Sequence, residues 1–92
     1  MTINDEMFAA LERFDGSLNE KLLAFYQLNG GSGHSQINDA ERAFLEAAGA
    51  TPGSLNDMWY EYLRDNGYTG TVNDMLHQWV LDGGMEPAPP IS

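Results

Sequence analysis

One pattern, repeated five times, limits this chain to a narrow set of folds. An apolar residue is followed by Asn and then by Asp or Glu. The copies are Ile3-Asn4-Asp5, Leu18-Asn19-Glu20, Ile37-Asn38-Asp39, Leu55-Asn56-Asp57 and Val72-Asn73-Asp74, starting 15, 19, 18 and 17 residues apart. Count the first apolar residue of each copy as position zero. Position four is then Met7, Leu22, Glu41, Trp59 or Leu76, and position seven is Ala10, Phe25, Phe44, Tyr62 or Trp79. Position eight is Leu11, Tyr26, Leu45, Leu63 or Val80. Position twelve is Gly30, Gly49, Gly67 or Gly84, with Gly16 one residue late in the first copy. A spacing that recurs with this fidelity marks one supersecondary unit used several times.

Zero, four, seven and eight lie on one face of an α-helix. The flanks say where each helix begins. Thr2, Ser17, Ser54 and Thr71 immediately precede position zero, and each has Asp5, Glu20, Asp57 or Asp74 three residues later. This is the wording of a capping box: the hydroxyl accepts from an orphan amide, and the carboxylate reaches back to the capping residue's own amide. The third copy has Gln36 at that place, so Ser35 is expected to cap one residue earlier. Only Glu41 breaks the apolar face. A Gly after each unit suits a left-handed helix end.

The pattern predicts helices over 3–14, 18–28, 37–48, 55–66 and 72–82 in an all-α fold. No segment alternates as a strand does. Gly30-Gly31-Ser32-Gly33, Thr51-Pro52-Gly53 and Tyr68-Thr69-Gly70 read as links. Helices this short are marginal alone in water. Each must bury its stripe on its neighbours, so a compact bundle or a tight spiral is expected over 1–84. Residues 85–92, Met-Glu-Pro-Ala-Pro-Pro-Ile-Ser, read as an extended Pro-rich tail, because three prolines exclude a helix. As an arm it would have Met85 and Ile91 as apolar anchors among Pro87, Pro89 and Pro90.

At 92 residues one domain is expected. The chain has no Cys, which excludes disulfides and thiolate metal sites. Residues 1–10 carry two acids, Asp5 and Glu6, and no base, so no signal peptide is expected, and no apolar stretch is long enough for a bilayer. Fourteen acids against four bases give a net charge of −10. That disfavours direct nucleic-acid or anionic-lipid binding. Five of the acids sit at capping positions, which leaves an ordinary acidic surface.

Catalytic and metal motifs are not found. His34 and His77 have no second His at ligand spacing. The Asn-Asp pairs do not follow the calcium-loop pattern. No P-loop, dinucleotide fingerprint or nucleophile elbow occurs. A non-enzymatic chain without a cofactor is the reading. The densest feature is aromatic: Trp59, Tyr62 and Trp79 fall on the core face, whereas Tyr60 falls off it and Tyr68 lies in a turn. Met58 and Met75 share position three, beside the stripe. Met58, Tyr60, Tyr68 and Met75 are the candidate exposed patch for a partner, since aromatics and Met are enriched at interfaces; the opposing reading is that they cover the core edge.

The stretch Ser54-Leu55-Asn56-Asp57-Met58-Trp59-Tyr60-Glu61-Tyr62-Leu63, followed by Gly67-Tyr68-Thr69-Gly70-Thr71-Val72-Asn73-Asp74-Met75-Leu76, resembles short helical segments of the form SLNDxWYxYL…GYTGxxND that recur in tailed-bacteriophage proteins. The match covers about residues 49–84, and its residues are mainly capping and core residues. The resemblance implies a phage origin, synthesis in the host cytoplasm and a place in or on the virion. The expected function is that of a structural or accessory protein: a decoration, cement or adaptor that binds capsid, neck or tail proteins in multiple copies. A homo-oligomer is compatible with that role. The alternative is a small acidic inhibitor or nucleic-acid mimic that acts on a host enzyme.

Overall fold

The computed structural model describes residues 2–86. It contains five helices: α1 (Ile3–Ala10), α2 (Leu18–Leu28), α3 (Ile37–Ala47), α4 (Leu55–Asp65) and α5 (Val72–Leu81). Each begins at position zero of a repeat copy. There is no strand among the described residues.

The hydroxyl half of the cap forms at all four Ser/Thr sites: Thr2, Ser17, Ser54 and Thr71 each accept from the amide three residues on. The reciprocal carboxylate half forms in α1, from Asp5, and in α2, from Glu20. At α4 and α5 only the hydroxyl bond is present. Asp is one methylene shorter than Glu, and even in α1 the Thr2 amide is 3.3 Å from the Asp5 carboxylate. Ser35 does not cap α3. Gln36 takes the N-cap position and makes no side-chain cap bond.

Helix ends depart from expectation in two copies. Helix α1 stops at Ala10 rather than near residue 14. Residues 11–14 form tight turns, with the Phe14 amide on the Leu11 carbonyl at 2.9 Å. The cause lies in the next helix: the Lys21 ammonium, with 6% of the residue exposed, takes the carbonyls of Leu11 and Phe14. It also sits 4.6 Å from the centre of the Phe8 ring. In the fifth copy the left-handed glycine is Gly83 (φ +93°), not Gly84. Gly84 instead lies flat against the Trp79 indole, where a Cβ would overlap the ring.

The helices meet in chain order, α1 with α2, α2 with α3, α3 with α4 and α4 with α5, and α5 then meets α1. No other pair of helices brings its backbones this close, and the remaining pairs meet only through side chains at the centre, so the five units close into a ring, which decides between bundle and open spiral. The radius of gyration, 12.7 Å, is that of a compact chain of this length. The centre is aromatic. The position-seven residues Phe25, Phe44, Tyr62 and Trp79 converge, with successive centroids 5.5, 5.8 and 5.9 Å apart and Phe25 6.5 Å from Trp79. Tyr26 and Trp59 join them, Trp59 at 5.5 Å from Trp79. Tilted and edge-on pairs at these distances are the favoured geometry for aromatic rings. Position eight is buried in all five copies.

Candidate partner-binding surface

Position three is a core position that periodicity from position zero did not reveal. Its occupants are Glu6, Lys21, Ala40, Met58 and Met75; four are buried and Glu6 is half-buried. Met58 and Met75 are fully buried. This corrects the expectation that they form an exposed patch. A helix with a neighbour on each side and the ring centre beneath it buries a wide arc, and position three lies only ~40° round the helix from position seven. Met85 is corrected as well. Its side chain is fully buried, and the Arg13 guanidinium donates to its carbonyl at 2.8 Å and to that of Ala10 at 3.1 Å. Met85 is therefore part of the helical unit and not an arm anchor. Pro87, Pro89, Pro90 and Ile91 lie outside the described residues.

Of the candidate patch, the two tyrosines remain at the surface. Tyr60, at position five of α4, is 44% exposed. The Arg64 guanidinium, one turn later, lies 5.7 Å from its ring centre and donates to its hydroxyl at 3.1 Å. Tyr68 is half-buried, and its hydroxyl donates to Asp82 at 2.7 Å, tying the α4–α5 link to the end of α5. That bond to the carboxylate raises the Tyr68 phenol above its ordinary range. Phe8, Leu28 and Leu81 are further exposed apolar side chains that the sequence did not single out.

The polar interior explains the break at Glu41. Its carboxylate accepts from the Trp59 indole at 2.9 Å. Burial pushes the Glu41 carboxyl up, and the indole bond pulls it partly back. Burial also pushes the Tyr26 phenol well up, with the Glu41 charge adding to it. A buried indole N–H needs an acceptor, and Glu41 supplies it at the cost of one apolar contact in the repeat.

The two charged residues at position three both hold α1. Lys21 ties its end to α2. Glu6 faces His77 of α5, Oε2 to Nε2 at 2.5 Å, with both atoms shielded from solvent, although the directional geometry of a good hydrogen bond is not met. The other cations bind neutral groups. Arg42 reaches the Gly53 carbonyl (2.5 Å) and the Met58 sulfur, Arg13 takes two carbonyls, and Arg64 covers Tyr60. Among the described residues no Lys or Arg is ion-paired with a carboxylate.

No group of three His, Asp or Glu side chains suited to a metal occurs among the described residues, and no described helix is long and apolar enough to cross a membrane. Comparison of the chain with protein-family models, with curated proteins and with solved structures gives no match.

Proposed function

We propose that this is a non-enzymatic protein-binding module of a tailed phage. It would act as a virion accessory protein (decoration, cement or adaptor), present in many copies on capsid, neck or tail proteins. The phage assignment draws its support from the resemblance of residues 49–84. The binding role is carried by the Tyr60–Arg64 pair. An exposed ring whose hydroxyl is held by a guanidinium one helical turn away combines the residue types that dominate interface hot spots. Mass spectrometry of gradient-purified particles, with copy number from peptide intensities, tests the assignment. A fixed ratio to the capsid or tail protein is expected. Absence from particles, with abundance in infected cells, would refute it.

One observation favours a second reading, an acidic inhibitor of a host nucleic-acid enzyme. Among the described residues no Lys or Arg is ion-paired with a carboxylate, and the chain carries a net charge of −10, so its exposed acids stand without local cationic partners. Salt separates the two readings. Binding by charge mimicry collapses as salt rises, whereas a contact built on apolar burial persists.

A further inference from the structure

The seam where α5 meets α1 carries a groove. Position seven holds an aromatic ring in four copies and Ala10 in the first. Ala10 also lines the two clefts at this seam. Two adjoining clefts share Ala9, Ala10 and Glu86 and together make the groove, the second walled on the α5 side by Val80 and Leu81. Leu81 is 63% exposed. Glu12 and Glu86 line the groove, and neither has a cationic partner among the described residues. Arg13 lines it too, but its guanidinium is held by the Ala10 and Met85 carbonyls.

We propose that this groove docks a basic amphipathic segment of a partner protein, an apolar side chain entering over Ala9 and Ala10 and Lys or Arg meeting Glu12 and Glu86. Charge complementarity selects the occupant: an apolar floor between two unpaired carboxylates favours a segment with an apolar face and cationic flanks. The proposal rests on the protein-binding reading and adds to it a second surface, on different helices from Tyr60.

The test uses the full chain, labelled with 15N, and a synthetic peptide with Leu at helical spacing and Lys elsewhere. The largest shift changes are expected at Ala9, Ala10, Val80 and Leu81. Ala9→Arg should weaken binding by about tenfold or more. Glu46→Arg, on α3, should weaken it far less although it alters the net charge more. If Ala9→Arg loses helicity, Leu81→Ser takes its place, with the same loss expected. Shifts spread evenly over the acids of α3 and α4, equal losses in both variants, or no binding would each overturn the proposal. So would a groove that binds only after residues 87–92 are removed, because the chain's own segment would then be its occupant. A native partner that tolerates Ala9→Arg and is lost with Tyr60→Ala would discard the groove and leave the binding reading standing.

Discussion

Lys21 does for α1 what a left-handed glycine does for the other helices: it satisfies carbonyls that the helix end leaves unpaired. Replacing it by Met keeps the volume and strands those carbonyls beneath the surface. Lys21→Met should therefore cost roughly 1–3 kcal/mol in denaturant unfolding; an unchanged midpoint would mean that water replaces the ammonium. Glu41 makes the opposite case. Its folded pKa is raised above the unfolded 4.5, so the stability it lends is complete below pH 4.5 and is lost as pH rises through the folded value. Glu41→Gln keeps an oxygen for the Trp59 indole and removes the buried charge. The variant should be more stable than the parent at pH 7 and no more stable at pH 3, measured by urea titration at both. Gly84→Ala would press a methyl group into the Trp79 ring, costing about 1–3 kcal/mol by thermal melting.

Among the helices, the one without a side-chain cap offers a gain and the capped ones a loss. Gln36 already has the extended backbone of an N-cap, so Gln36→Ser should stabilise α3 by up to ~1 kcal/mol, and Thr71→Ala should destabilise α5 by ~1 kcal/mol. Equal melting temperatures for Gln36→Ser and the parent would show that water already serves those amides. The start of every helix was legible in the sequence: in four because a cap is local, Ser or Thr and then an acid three residues on, and in α3, which has no such cap, from the repeat alone. The ends were less so. The early stop of α1 depends on Lys21, seven residues past Phe14, and the shift from Gly84 to Gly83 depends on where the Trp79 ring lies. Position three stayed hidden because Glu6 and Lys21 occupy it in two copies, and charge in a repeat reads as surface. Their burial depends on partners, His77 and the carbonyls of Leu11 and Phe14, that only the tertiary fold brings near.

For the molecule as a whole, closure settles what periodicity left open. Any five copies of a unit with two sticky sides can stack as a spiral. Here the position-seven rings of four units converge, and the first unit, with Ala10 in place of a ring, is held across the gap by Glu6, Arg13 and Lys21. The same small residue that leaves the aromatic centre to four helices also lines the groove at the seam. The departures of the first copy from the repeat thus shape the α1–α5 seam, and Tyr60 is an exposed ring that no repeat rule buries. Nuclear Overhauser spectroscopy in solution tests the ring most directly. Cross-peaks between the His77 imidazole and Glu6, alongside those between the Phe44 and Trp79 rings, are the expected result. Contacts between consecutive helices without any between α1 and α5 would contradict closure, and with it the seam on which the docking groove depends.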